Sequence, residues 1–467
     1  MSICQSGMEC NIKPSKISIG IEEHHPLLGL ANVIEWEELA EMVLPDLKST
    51  TKGGQWWRGR KLKLRIHLGT FLLQQLFNKT DRQMEYDLKD NAAYQLFSGK
   101  LIVHKWHAPD HTKIEEFRSR LSPETQKKLA NHIAENAVKL GFADPSDIDI
   151  DSTVQEANMA YPTDSCLLKK LGGMCNKVSN FFNESIAKYI KNPISLNAKK
   201  INQKAREYFF LPKNSTKEVK NNSLQSLLDV VSTEVSPMIS ICETLSDYYI
   251  KRIPWNIVRT INQIKELATK YLQDVQTFLT EGELVSTKIL SFHLSDVSCF
   301  TKGKPGKKYT FGRAFQLCRI KGNFLIAGKN TTLQMPDKKS LEPLIQEHKE
   351  IFNADINSVA TDKGYYSKKN EKSLLKEGVK EIGIQRPANI KSSHPQSLSE
   401  ECQEKLVNRR SGIEPLIGHA KHGGQLGRSR MKSDRTTESS GFSSILGFNL
   451  RQLIRHQAGK MDEIMVT

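Results

Sequence analysis

The sequence lacks any long apolar run. No stretch approaches the roughly 18 uninterrupted apolar residues that identify a transmembrane helix. The N-terminal residues include acids and other polar residues where a secretion signal would need an apolar segment. We therefore expect a soluble protein of the cytoplasm with no membrane partner.

Paired cysteines are also missing. The eight cysteines are scattered through the chain without a single C-x-x-C pair, at positions 4, 10, 166, 175, 242, 299, 318 and 402. This pattern argues against a zinc ribbon and against a disulfide framework, so free thiols in a reducing compartment are expected. His104, His107 and His111 have ligand-like spacing but no matching partner pair. A surface loop is the favoured interpretation of these histidines.

Acidic residues are too few to balance the basic ones. The 467-residue chain has a formal net charge of +16, and apolar residues make up 38% of it. That apolar content predicts folded domains, two or three at this length, rather than disorder. The positive excess favours a polyanionic partner, either nucleic acid or an anionic membrane surface.

The first part of the chain has helical patterning. After a flexible lead at 1–23, apolar spacing and helix caps predict an all-α domain at 24–141, including helices that begin near Leu62, Thr80 and Ser122. Between two of these helices lies a Gly-rich basic loop. It carries aromatic residues among basic ones, namely Trp56, Trp57, Arg58 and Arg60. Such a loop suits base stacking with phosphate contact, but tryptophans that pack back into the core explain it equally well.

The segment D-I-D-I-D-S-T follows this helical part. In a strand, side chains alternate, so Asp147, Asp149 and Asp151 share one face while Ile148 and Ile150 share the other. Acids are unfavourable in strands, and like charges in a row repel each other. This face is therefore either exposed to solvent or a cation site.

The remainder predicts a split α/β domain. Long amphipathic helices fill an insertion at 166–284, between a first core segment at 142–165 and a second at 285–435. Residues 436–467 form a C-terminal helix and tail. Strands are expected at Lys288–His293, Lys308–Cys318, Asn323–Leu333, Ile356–Thr361 and Val379–Ile384, giving a mixed sheet flanked by helices. The basic turn that carries Lys302 and Lys304 lacks the spacing of a nucleotide-binding loop, and these two lysines are predicted to contact nucleic acid instead.

Three acids occupy informative places along this pattern. Asp151 lies near the end of the first strand, Asp362 follows a later strand, and Glu414 lies on a helix. Converging carboxylates would make an oxygen-rich Mg²⁺ site. The spacing leaves other acids in competition, namely Asp147, Asp149, Glu401 and Glu404, and a structural ion-pair network remains an alternative. Nearby basic residues that could contact DNA phosphates are Lys363, Arg409, Arg410 and Lys421.

Several motifs in order resemble those of the DDE transposases of bacterial insertion sequences, in the insertion-sequence-five group of the insertion-sequence-four-like superfamily. They include H-P-L-L-G-L-A, R-I-H-L-G-T-F-L-L-Q-Q-L-F-N-K-T-D, D-S-T-V-Q-E-A-N-M-A-Y-P-T-D, K-G-K-P-G-K-K-Y-T-F-G, D-K-G-Y-Y-S, R-R-S-G-I-E-P-L-I-G-H-A-K and G-F-N-L-R-Q-L-I. The resemblance covers most of the chain outside the helical insertion.

The resemblance implies an RNase H-like catalytic core in which Asp151, Asp362 and Glu414 bind Mg²⁺, with Mn²⁺ as a substitute. The family signature Y-x2-R-x3-E-x6-K is matched by Arg410, Glu414 and Lys421, whereas Val407 stands in place of the tyrosine.

The implied activity is cleavage at the ends of an insertion sequence and transfer of the 3′-OH ends into target DNA. The expected partners are terminal inverted repeats, target DNA and further copies of this chain, and the implied location is the bacterial nucleoid. Two alternatives remain: an inactive DNA-binding relic or regulator, and a metal-dependent nuclease without strand transfer.

Overall fold

The computed structural model describes residues 20–22, 24–49, 63–99, 108–186, 194–246, 250–285, 288–301, 309–328, 336–386 and 398–466. Seven helices occupy the N-terminal part of these ranges: α1 (Pro26–Val33), α2 (Trp36–Ser49), α3 (Leu64–Leu76), α4 (Asp81–Asp90), α5 (Ala92–Phe97), α6 (His111–Arg120) and α7 (Pro123–Lys139). The helical character predicted for this part is confirmed.

Helix ends in this region follow capping chemistry. The Thr80 side chain accepts a hydrogen bond from the Gln83 amide, and the Gln83 side chain accepts one from the Thr80 amide, which completes a capping box at the start of α4. Ser122 caps α7, whose first residue is Pro123. Gly141 ends that helix with a φ of 76°, a left-handed conformation that glycine adopts without strain.

Six strands form one mixed sheet, with the long strand β1 (Asp144–Glu156) at its centre. The others are β2 (Ser298–Thr301), β3 (Tyr309–Lys321), β4 (Phe324–Ala327), β5 (Ser358–Thr361) and β6 (Glu381–Ile384). On one side β1 pairs antiparallel with β3, which pairs antiparallel with both β2 and β4. On the other side β1 pairs parallel with β5, which pairs parallel with β6. The predicted mixed sheet is confirmed.

The predicted strand at Lys288–His293 is wrong, because these residues lie outside any strand. The apolar residues that suggested it pack elsewhere: Phe292 is buried among the helices of the insertion, and Ile289 packs against the same cluster. The sheet instead takes its second strand from Ser298–Thr301. A residue pattern records which side chains are apolar, but not whether a helix or a strand covers them.

Helices fill the predicted insertion: α8 (Asp164–Ile186), α9 (Ala198–Phe209), α10 (Lys217–Thr244) and α11 (Trp255–Glu281). Their apolar stripes meet in a hydrophobic core distinct from the one that joins the sheet to the N-terminal helices. At the base of the insertion, Lys288 Nζ lies 2.8 Å from Asp164 Oδ2. The Tyr271 hydroxyl donates to the same Asp164 carboxylate.

The rest of the sheet is surrounded by α12 (Asp337–Phe352), α13 (Lys368–Lys376), α14 (Glu400–Ser411), α15 (Ile413–His422) and α16 (Asp434–Val466). Amide side chains satisfy the outer edge of β4, where backbone groups would otherwise lack partners. Asn449 of α16 exchanges hydrogen bonds with the Leu325 backbone, and Asn131 of α7 does so with Ala327. Across the described ranges, the structure contains no helix long and apolar enough to cross a membrane.

Candidate active site

Two of the predicted acids lie where the pairing between the parallel strands β1 and β5 ends. In the register of β1 and β5, Ile150 is opposite Thr361. Asp362 is the next residue after β5, whereas Asp151 is the next residue within β1. The first strand was predicted to end near Asp151, but it continues to Glu156 along β3. The sheet therefore brings these two carboxylates side by side. Like Asp147 and Ser358 of the same register, they are 211 residues apart in the sequence.

The third acid is joined to Asp151 by one arginine. Arg410 Nη2 donates to Asp151 Oδ2 at 3.0 Å, and Arg410 Nη1 lies 3.3 Å from Glu414 Oε1. Arg410 lies in the last turn of α14 and Glu414 in the first turn of α15, so the helix junction at Gly412 sets their spacing. The guanidinium therefore lies between the two carboxylates and contacts both.

Burial makes Asp151 electrostatically unusual. Its side chain is 14% exposed, whereas that of Glu414 is 62% exposed. Loss of hydration raises the pKa of Asp151, and the neighbouring Asp362 raises it further. Arg410 and the Ser152 amide, which donates to Asp151 Oδ1 at 2.8 Å, act in the opposite direction. A cation at this place would stabilise the ionised form.

A fourth acid, Asp337, lies beside Asp362. A methyl group added at Gly364 would lie 3.0 Å from Asp337 Oδ2 and 3.1 Å from Asp362 Oδ1. Asp337 had no place in the sequence prediction, since an acid in the first turn of a helix is ordinarily explained by the helix dipole. The sequence contains no signal for Asp337, because its position next to the D-K-G-Y-Y-S turn depends on how the chain folds.

A buried tyrosine anchors this side of the site. The Tyr365 hydroxyl donates to Gln316 Oε1 at 2.6 Å, and Gln316 Nε2 donates to Asp337 Oδ1 at 3.1 Å. Burial raises the pKa of Tyr365, as do the charges of Asp337, Asp151 and Asp362. The phenol therefore stays protonated and remains a donor.

The remaining aspartates of β1 have structural partners. Asp149 is buried and accepts from Arg409 Nε at 2.8 Å and from Arg319 Nη1 at 3.3 Å. Asp147 accepts from the Ser358 hydroxyl. The acidic face of β1 is thus not open solvent, because α14 covers it. Ile148 and Ile150 are fully buried on the other face, as the alternation predicted.

The other predicted residues are placed as follows. Lys363 is exposed directly after Asp362, and Lys421 is half-buried on α15. Val407, at the tyrosine position of the signature, is 38% exposed. Glu401 pairs with Lys405, and Glu404 is exposed, so neither replaces Glu414 beside Arg410. Trp56, Trp57, Arg58, Arg60, Lys302 and Lys304 lie outside the described residues.

The donor set at the candidate site is chemically suited to a hard cation. Asp151, Asp362 and Glu414 supply carboxylate oxygens, which Mg²⁺ and Mn²⁺ prefer. In the described part of the chain, these three do not form a cluster whose ligand atoms all lie within 4.8 Å of one another. Arg410 holds two of them apart, so cation binding would require its guanidinium to leave at least one carboxylate.

Comparison with known proteins points to one class. Residues 16–120 match a family model described as "Transposase domain (DUF772)". The chain is 26% identical over 156 residues to "Uncharacterized protein ORF8 in nfe locus" of Rhizobium meliloti, a match that covers 32% of this chain and 70% of that protein. No solved structure matches the chain. The N-terminal part of the chain is thus similar to a transposase domain, which indicates a transposase role.

Proposed function

We propose that the chain is a DDE transposase of the insertion-sequence-five group that cleaves the ends of its element and joins the 3′-OH ends to target DNA. The observation that carries the proposal is the convergence of Asp151 and Asp362 where the β1–β5 pairing ends, with Arg410 linking Asp151 to Glu414. The match of residues 16–120 to a transposase domain supports the same class.

The strand order favours an RNase H-like core. The central strand β1 pairs antiparallel with β3, which also pairs with β2 and β4. On its other side β1 pairs parallel with β5, and β5 pairs parallel with β6. In this arrangement the site lies where the pairing of β1 with β5 ends, between Asp151 within β1 and Asp362 at the carboxyl end of β5. Fold alone does not establish chemistry, so the assignment rests on the carboxylates.

Asp151, Asp362 and Glu414 are the residues that would hold Mg²⁺. When bound, the cation supplies activation of the attacking oxygen and stabilisation of the leaving oxygen in phosphodiester cleavage. The chain's own groups prepare the site. Arg410 offsets part of the negative charge of Asp151 and Glu414 before a cation arrives, and Gln316 with Tyr365 fixes Asp337 beside Asp362.

Basic residues around these acids would contact the DNA backbone. Of the four predicted phosphate contacts, Arg409 and Arg410 are paired with aspartates of β1, whereas Lys363 is exposed directly after Asp362 and Lys421 is half-buried on α15. On the insertion, the face of α9 lined by Lys199, Arg206 and Phe210 provides a further surface of the same kind. The net charge of +16 would make affinity for DNA fall steeply with salt. A dimer or higher oligomer on paired DNA ends belongs to the same proposal.

Purified protein, Mg²⁺ and a supercoiled donor plasmid with the element's terminal repeats test the proposal. The wild type should release 3′-OH ends and join them to a target plasmid. Asp151→Asn, Asp362→Asn and Glu414→Gln should each abolish both products, whereas Asp147→Asn, on the same face of β1, should retain most activity. Undiminished cleavage by Asp362→Asn would refute the site assignment.

The same assay separates the two alternatives. A nuclease would nick or linearise the donor without joining any end to the target. An inactive relic or regulator would shift the terminal repeats in a binding gel but give no cleavage product with either Mg²⁺ or Mn²⁺.

A further inference from the structure

A second group of potential cation ligands, separate from the candidate active site, lies where α7 meets the start of α2. His132 Nε2 is 3.1 Å from Glu35 Oε2 and 3.7 Å from Glu38 Oε2. These ligand atoms all lie within 4.8 Å of one another. Two ligands bound at about 2.0 Å to a tetrahedral ion lie about 3.3 Å apart, so the observed separations approach those of a coordination shell.

The imidazole of His132 is oriented for ligation. Its Nδ1 lies 3.3 Å from Glu135 Oε2, one turn further along α7. With Nδ1–H donating to this carboxylate, Nε2 carries the lone pair. The side chain is only 2% exposed, and Nε2 has no hydrogen-bond partner among the described residues. A metal-binding histidine characteristically donates its other N–H to a carboxylate in this way.

Charge at the group favours an additional cation. The carboxylates of Glu35, Glu38 and Glu135 surround the imidazole, and Lys139 is the basic residue paired with all three. One ammonium leaves two negative charges uncompensated when His132 is neutral. A lone pair on Nε2 facing two carboxylates is repulsive unless a positive charge lies between them.

We propose that Glu35, Glu38 and His132 bind a divalent transition-metal ion such as Zn²⁺, and that the ion fastens α2 to α7. One imidazole nitrogen with carboxylate oxygens suits Zn²⁺ better than Mg²⁺, which prefers oxygen ligands alone. Asn136 Nδ2, which donates to Val33 O at 2.7 Å, holds the same two parts of the chain together without metal. The ligand site is therefore largely formed before an ion arrives.

Zinc binding by the full-length chain, stripped with a chelator, tests this proposal. Competition with a chromophoric chelator should show tight binding of one Zn²⁺ that survives the combined changes Asp151→Asn, Asp362→Asn and Glu414→Gln. Co²⁺ in place of Zn²⁺ should give visible absorption bands of a nitrogen–oxygen site. Zn²⁺ should also raise the Tm, since a ligand that binds only the folded chain stabilises it.

Two variants, Glu38→Gln and His132→Gln, identify the ligands. Glu38→Gln changes a side chain that is 51% exposed, and it should weaken Zn²⁺ at least tenfold. His132→Gln should remove the Co²⁺ bands and the Tm shift. Lys139→Met should instead strengthen binding, because its ammonium competes with the ion for Glu35 and Glu38.

The outcomes distinguish a metal site from an ion-pair network. Equal Zn²⁺ affinity in the wild type, Glu38→Gln and His132→Gln would overturn the proposal. So would a Lys139→Met variant that binds Zn²⁺ no better and gains no Tm from it. Loss of binding only in the Asp151, Asp362 and Glu414 variant would assign the ion to the candidate active site instead.

Discussion

Arg409 donates a hydrogen bond to the Asp149 carboxylate, and its guanidinium also donates to the Ile148 carbonyl and the Ser358 hydroxyl. The next residue, Arg410, reaches Asp151, two positions further along β1. Two consecutive arginines of one helix thus contact two successive aspartates, which lie on the same face of one strand. The first contact is buried and fixes α14 on the sheet, while the second lies where the β1–β5 pairing ends, at the candidate active site.

Asp149→Asn should destabilise the fold without being a catalytic change. The amide would offer one acceptor to two arginines and leave a partly buried guanidinium without its counter-charge, which costs about 3 kcal/mol. Urea unfolding should show this loss. Asp147→Asn is the matched control, because Asp147 is 37% exposed and its amide oxygen can still accept from Ser358. A change within about 0.5 kcal/mol is expected there. Equal stabilities for the two variants would contradict the structural role of Asp149.

As the pH falls, the candidate active site should lose its affinity for a cation at a higher pH than a site built from exposed aspartates would. Burial and Asp362 raise the pKa of Asp151, and only the ionised carboxylate binds a cation. As the pH falls, Asp151 takes up its proton early and affinity is lost. Mn²⁺ binding followed from pH 8 downward measures the midpoint. Arg410 lowers this pKa, so Arg410→Gln should move the midpoint upward. A midpoint unmoved by that change would argue against the contact.

Gly364→Ala should impair activity more than stability. The added methyl group would meet Asp337 Oδ2 at 3.0 Å and Asp362 Oδ1 at 3.1 Å, which forces the two carboxylates to shift. We expect at least a tenfold drop in donor cleavage, since small displacements of positioned groups are costly. Gly173→Ala is the control, because nothing lies within 4 Å of its added methyl group in α8. That variant should cleave normally, and a normal rate for Gly364→Ala would refute the steric explanation.

Gly412→Ala should disturb the junction between α14 and α15. Its methyl group would lie 2.2 Å from Arg319 Nη1, which donates to Asp149 and to the Arg409 carbonyl. Either Arg319 moves or the junction does, so both stability and cleavage should fall, with a stability loss of about 1–3 kcal/mol from overpacking. Gly418→Ala, six residues later in open space, should be harmless. Thermal unfolding of the two variants makes the comparison.

The sequence predicted the central strand well because alternation in D-I-D-I-D is a local property. It also predicted that Asp362 follows a strand. It did not separate Arg409 from Arg410, since adjacent residues of one type differ only in which aspartate they reach in the folded chain. Asp337 was missed for a related reason: its proximity to Asp362 depends on how α12 packs beside the turn after β5.

The Asp164–Lys288 pair bears on how the sheet can assemble. β1 ends at Glu156 and its antiparallel partner β3 begins at Tyr309, so the central pairing must close a very long loop. Loop closure costs entropy before any strand contact repays it. The helices of the insertion have a hydrophobic core of their own and can collapse first. The pair of Asp164 and Lys288 then holds the two ends of the insertion together, with Lys288 Nζ 2.8 Å from Asp164 Oδ2. Early collapse of the insertion would thereby shorten the loop that the pairing of β1 with β3 must close.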